Sequence, residues 1–264
     1  MNDRVVDRAA PYTTPGRLLV RDGLLVALSF SAGMYEAIGF LSFGKVFTAF
    51  QTGNIVFLGL GVFGTRPPAG PDPVSAIISL AAFAGGAALA MPLLRASGAE
   101  ADLTNAVCVW PRRVSLTLGA GLVIQVGFLA VWMATSRSTD SVYILIALNA
   151  LAMGMQMNAA RSLHVPGVAT TAATATFISL ASGISTWSLG ARTMLRLSGV
   201  LVGMGAGGYL GDWMIHHAHA YAPVVPAVVI MLVITTSSMA LDPQQHIMPP
   251  AWHMVTPRHH GLQG

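Results

Sequence analysis

The chain has 264 residues, 54% hydrophobic and only 9% charged, with a mean hydropathy of +0.64. A soluble domain carries about 25% charged residues, so this composition excludes an ordinary soluble fold and describes a polytopic membrane protein. The net charge of +4 comes from cations scattered singly between apolar runs, which excludes a basic nucleic-acid face and fits the Lys/Arg excess of cytoplasmic loops.

Residues 1–22 are charged and contain prolines, and they read as a cytoplasmic N-terminal segment. The first apolar run is too long and too polar at its end for a cleaved signal peptide. It is expected to stay in place as a signal-anchor, with Arg4, Arg8, Arg17 and Arg21 held inside. Apolar segments then follow at about residues 23–43, 49–64, 74–94, 114–134, 142–160, 170–186, 197–211 and 221–241, separated by breaks such as "TRPPAGPDP" and "HVPG". Residues 23–241 form one all-α transmembrane bundle, with halves at about 23–134 and 142–241. Residues 242–264 are a polar, Pro-containing tail expected to be flexible.

Segments 49–64 and 170–186 are too short for full spans. At 1.5 Å per residue they reach about 25 Å, against a hydrocarbon core of about 30 Å. Each opens on a polar cluster, "FQTGN" in one and "TTAATAT" in the other. A helix that starts inside a membrane leaves N–H groups unpaired, and hydroxyls and amides nearby can satisfy them. Both are therefore expected to be re-entrant or broken helices, leaving six full spans.

An internal repeat is legible at an offset of 122 residues. It sets Glu36 against Asn158, Thr48 against Thr170, Thr52 against Thr174 and Gly85-Gly86 against Gly207-Gly208. Charge then favours six spans. With eight spans and the N-terminus inside, nine cations lie inside and five outside. With six spans, eleven lie inside, and only Lys45, Arg66 and Arg137 lie outside. Three spans in each half place the halves in inverted orientation, the arrangement in which discontinuous helices line a site near the midplane of many transporters.

The stretches "AGMYEAIGFLSFGKVFTAFQTGNIVFLGLG" and "MGMQMNAARSLHVPGVATTAATATFISLA" resemble the YoaK-like family, bacterial integral membrane proteins classed as a domain of unknown function. The resemblance covers about residues 20–215 and rests mainly on the Thr-Gly-Asn element, Thr52-Gly53-Asn54. That family usually carries Asp at the position of Glu36, and Thr-Gly-Thr where this chain has Thr174-Ala175-Thr176. What the resemblance implies is class and membrane location; it implies no activity.

Glu36 is the only acidic residue well inside an apolar segment. A charge there costs about 2.5–3.5 kcal/mol on insertion scales, and such residues are usually functional. Glu36 reads as a proton- or cation-coupling carboxylate or a ligand for a cationic substrate; alternatively it is a hydrogen-bonded Glu near the outer interface, paired with Lys45. Asn158 is its neutral counterpart in the repeat. Asn149 faces another azimuth and reads as an interhelical hydrogen bond. Gln51, Thr52 and Asn54, with Thr170, Thr171, Thr174 and Thr176, are expected to cap the two half-helices and line a polar crevice between the halves, or simply to cap helices and join them.

Gly199, Gly203, Gly207 and Gly211 recur every four residues and make one smooth face. Packing within the monomer is the first reading and a homodimer seam the second. "DWMIHHAHAY" gathers histidines, but without the Glu-flanked i, i+4 pair of a metalloprotease, so no metal is expected. The single Cys108 rules out an intramolecular disulfide and a Cys-based zinc cluster. No nucleophile elbow, phosphate loop or close acidic pair is present, so neither enzyme activity nor a cofactor is expected. The sequence reads as a small inner-membrane permease or exporter of an unknown small molecule or ion, or as a membrane scaffold or regulatory factor whose partner surface is the tail.

Overall fold

The computed structural model describes residues 14–62, 72–95, 109–135, 139–166, 168, 173–186 and 189–241. The expected cytoplasmic arginines at positions 4 and 8, the lone Cys108, Thr170 and Thr171, and the tail from residue 242 lie outside the described residues.

The described residues are helical throughout and hold no strand. The helices are α1 (Pro15–Ser42), α2 (Gln51–Val62), α3 (Pro73–Leu94), α4 (Arg112–Ala134), α5 (Thr139–Arg161), α6 (Ala173–Ser185), α7 (Ala191–His217) and α8 (Val224–Ala240), with a 3₁₀ turn at His219–Tyr221 before α8. Each coincides with one apolar segment of the sequence. The first starts eight residues earlier than the apolar run. Pro15 occupies the first helical position behind an extended Thr14, where a missing N–H costs nothing, and the polar turn winds on as helix. Pro73 opens α3 in the same way behind Asp72.

Five stretches are long and apolar enough to cross a membrane: α1, α3, α4, α5 and His219–Ala240, which contains α8. α7 has 27 residues, but its glycines and charged ends dilute its hydropathy. α2 and α6, with 12 and 13 residues, reach only about 18–20 Å.

Two helix pairs make the largest contacts, α1 with α7 and α3 with α5. Both seams bring backbone to backbone at glycine. A Cβ added at Gly207 would fall on the Phe30 carbonyl, and one at Gly33 on the Met204 carbonyl. In the other pair, a Cβ at Gly86 would fall on the Leu151 carbonyl and one at Gly154 on the Phe83 carbonyl. Val26 lies against Gly199 and Gly203, and Met34 against Gly211, so α1 and α7 run in the same direction. The four-residue glycine face of α7 is thus covered by α1 of the same chain. α8 runs antiparallel to α1: the Tyr35 hydroxyl donates to the Pro223 carbonyl (3.4 Å) and the Ser31 hydroxyl to the Pro226 carbonyl (3.1 Å).

The two ends of the bundle differ in chemistry. At one end the ring of Phe43 meets Phe128 and Trp132 edge-on, and Trp132 stacks on His219 at 4.8 Å. Lys45 belongs to this end. At the other lie Arg17, Arg21, Arg95, Arg112, Arg113, Arg161, Arg192 and Arg196, at the starts of α1, α4 and α7 and the ends of α3 and α5.

Gly207→Val should lower stability by about 1–3 kcal/mol, the range for overpacking a tight core. Gly205→Val on the same helix, where an added Cβ meets nothing within 4 Å, should be neutral. Melting midpoints of the purified variants in one detergent check the contrast.

Candidate functional site

After α1 the chain reverses through Gly44 and Lys45, both with positive φ (75° and 71°). Gly adopts this conformation freely, whereas a lysine there is uncommon. The lysine ammonium sits 4.9 Å from the centre of the Phe40 ring, a cation–π contact; the expected alternative of a Glu36–Lys45 pair is not what the side chains form. From this reversal residues 46–50 run back along α1, and α2 begins beside Glu36, six residues short of the α1 terminus, or about 9 Å inside it.

Glu36 lies there, 5% exposed. Its carboxylate accepts from the backbone N–H groups of Ala49 (2.8 Å), Thr48 (3.1 Å) and Phe50 (3.3 Å), and from the Thr48 hydroxyl (3.2 Å). All four partners are donors, and a carboxylate is the side chain with lone pairs enough to accept them all. A helix start carries unpaired N–H groups and partial positive charge, both of which an anion satisfies. Glu36 therefore ties down the non-helical segment that leads into α2, taking the amides of Thr48, Ala49 and Phe50, the last being the residue just before the helix.

Around this carboxylate the other polar residues close a network. Asn149 of α5 donates to the Thr48 hydroxyl oxygen at 3.0 Å. Asn54 clasps residue 47 from both sides: its amide donates to the Phe47 carbonyl (2.6 Å) and its oxygen accepts from the Phe47 N–H (3.0 Å). Gln51 donates to the Thr48 carbonyl (2.9 Å) and the Ser79 hydroxyl (3.1 Å), and Ser79 in turn donates to the Phe47 carbonyl (2.6 Å). Thr52 is exposed. A mainly apolar groove of about 390 Å³ reaches the carboxylate, with Gly33, Phe47, Phe50, Met204 and Gly208 in its walls.

Asn158 is elsewhere. Its amide donates to the Ala87 carbonyl of α3 at 2.6 Å, so of the two asparagines on α5 it is Asn149 that joins Glu36. In the second short helix Thr174 is exposed and Thr176 is fully buried. His164, after α5, has φ 49°, a left-handed reversal like that at Lys45. His216 and His217 donate back to the carbonyls of Asp212 and Trp213. Among the described residues no group of three or more His, Cys, Asp or Glu is placed to hold a metal.

The family described as "Protein of unknown function (DUF1275)" matches residues 24–236. The chain belongs to this family. It is also similar to the UPF0700 transmembrane protein YoaK of Bacillus subtilis (strain 168), with 35% identity over 165 residues, 62% of this chain and 68% of that protein. No solved structure is significantly similar. The chain is therefore an integral membrane protein of the DUF1275 family, and Glu36, the "QTGN" residues and both short helices all fall inside the matched region.

Sequence reasoning passed over Ser79 and used Thr48 only as a repeat match. A lone Ser in the first two turns of an apolar helix carries little signal. It also passed over a second buried polar group at the arginine end, Asp22, which is 7% exposed and bridges arginines of α1 and α7.

Glu36→Ala would strand three backbone donors, and the expected loss is on the order of 3 kcal/mol. Asn149→Ala should cost about 1 kcal/mol, the usual worth of an interhelical amide bond. Hydrogen exchange of the 48–50 amides, followed by mass spectrometry, should accelerate strongly in the first variant and little in the second.

Proposed function

We propose that the chain is a small permease-like transporter of the cell membrane, with six spans in two inverted halves and its N-terminus in the cytoplasm. The observation that carries this reading is the recurrence of one seam. The contacts of Gly33 and Gly207 between α1 and α7 reappear as those of Gly154 and Gly86 between α5 and α3, and a spacing of 121 residues relates each member to its counterpart. The same spacing takes Phe30 to Leu151 and Phe83 to Met204, the residues whose carbonyls meet those glycines. α1 is thereby matched with α5, α3 with α7, and the short α2 with α6. α7 is the sixth span, and the short helices enter from opposite faces.

Charge supports the orientation. The eight described arginines share one end and Lys45 lies at the other, so the arginine end is cytoplasmic by the positive-inside rule. Helix pairs of this kind around broken helices are the architecture in which transporters hold a site near the midplane. In that setting Glu36 is the coupling group. A proton or cation that takes over its oxygens releases the amides of residues 48–50, and the first hairpin is freed to move against the groove beside it.

The closed hydrogen-bond set around Glu36 favours one other reading, a non-transporting membrane scaffold or regulatory factor in which that network is permanent.

Two experiments decide between these readings. In a Cys108→Ser background, Gly44→Cys should react with an impermeant maleimide only from outside and His164→Cys only from the cytoplasmic side; reaction from the same side would mean parallel halves and would end the inverted reading. Spin labels at Thr52→Cys and Thr174→Cys, measured by pulsed electron resonance in liposomes, should give two distance populations whose ratio changes with pH and collapses to one in Glu36→Gln. One narrow distribution, indifferent to pH and to that substitution, would favour the scaffold.

A further inference from the structure

At the arginine end of the bundle, Asp22 is shared by three arginines. Arg21 reaches one carboxylate oxygen at 2.8 Å, Arg192 donates to the other at 2.8 and 3.1 Å, and the Arg196 guanidinium lies 3.9 Å away. One anion among three cations leaves an excess of two positive charges. Arg196 is 9% exposed, and although one of its terminal nitrogens donates to the Pro166 carbonyl (3.3 Å), its Nε is buried without an acceptor. A buried guanidinium N–H lacking an acceptor is costly, so the cluster carries more positive charge and donor capacity than its one carboxylate satisfies.

The ground beside this cluster is apolar. A groove of about 480 Å³ starts at Gly23, the residue after Asp22, and runs past Ala27 to Phe30 on α1, with Gly203 on α7 and Val229 and Leu232 on α8 as its other walls. Seven residues of α1 span about 10 Å. Arg192, Arg196, Gly199 and Gly203 stand on one face of α7, since spacings of 4, 7 and 11 residues nearly close whole turns, so the arginines lie along the α1–α7 seam on which the groove opens at Gly203 and Val26. Surplus cationic charge at the membrane surface next to an apolar channel along the bilayer normal is complementary to one kind of molecule. We infer that the α1–α7–α8 face binds an anionic glycerophospholipid, its phosphate on Arg192 and Arg196 and one acyl chain in the groove. Basic pockets between helices at the cytoplasmic side recognise lipid headgroups by the same chemistry. The shared ligand chemistry is a phosphate, and the acyl groove selects the lipid over the free ion.

The test uses the delipidated full chain in detergent, titrated with phosphatidylglycerol, with phosphatidylcholine and with inorganic phosphate, bound species being counted by native mass spectrometry. Phosphatidylglycerol should bind tighter than phosphatidylcholine, and Arg192→Gln should cut that preference about fivefold. Arg192 is partly exposed, so this variant leaves the buried Arg196 in place and keeps the fold. Gly23→Leu, at a position where an added Cβ meets nothing within 4 Å, should weaken phosphatidylglycerol while leaving the arginines untouched. Equal binding of the two lipids, or a preference unmoved by Arg192→Gln, would overturn the headgroup site. Competition by millimolar phosphate together with indifference to Gly23→Leu would mean a free-anion site and would overturn the lipid.

Discussion

The constraint on which the structure turns is that buried backbone N–H groups need acceptors. The segment between α1 and α2 meets it with a carboxylate from α1: Glu36 accepts from residues 48, 49 and 50 and from the Thr48 hydroxyl. The need for that acceptor explains several other choices. The reversal at Gly44 and Lys45 returns the chain to Glu36, Asn54 holds the returning segment at residue 47, and Asn149 fixes the Thr48 hydroxyl. A carboxylate that is expensive to insert alone becomes acceptable when each oxygen has two donors, and the donors become acceptable for the same reason.

The rest of the bundle is held differently. Lipid tails are as apolar as leucine, so apolar surface alone does not drive helices together in a membrane; close packing does. The seams of α1 with α7 and α3 with α5 achieve it by removing side chains, so that glycines meet carbonyls of the facing helix. Such contacts bring Cα–H groups to carbonyl oxygens, weak bonds that recur at helix interfaces. This also explains how α7, full of glycine and low in hydropathy, is held: its glycine face lies against α1 while Leu195, Val202 and Tyr209 are exposed on the other.

Much of this was legible in the residues. Every apolar segment became one helix, and the two judged too short to span are the two short helices, because length and hydropathy are local properties. Which polar groups would meet was not legible. The alignment at an offset of 122 paired Glu36 with Asn158, but Asn158 donates to the Ala87 carbonyl and it is Asn149 that reaches the Glu36 network. A shift of one residue rotates a helical side chain by about 100°, enough to exchange one neighbour for another, and apolar matches cannot fix a register that finely. Glu36 itself stood out by type and depth, yet its main partners are backbone amides, which leave no mark in a sequence. Asp22 is hidden in the sequence by the arginines around it, whose placement speaks first of topology.

The seam between α1 and α7 joins Phe30 to Gly207, positions 177 residues apart. At a synthesis rate of about 5–20 residues per second, something like ten to thirty-five seconds pass before the partner exists. For that interval the first helix sits in the lipid with Gly33 and its neighbouring carbonyls facing no protein surface of their own, while α3 receives its partner, α5, far sooner. The two seams thus become possible in order: the surfaces of α3 and α5 coexist well before those of α1 and α7. A ribosome that stops short of Gly207 leaves a nascent chain whose first span keeps its contacts with residues 48–50 and with α5 but lacks its largest seam.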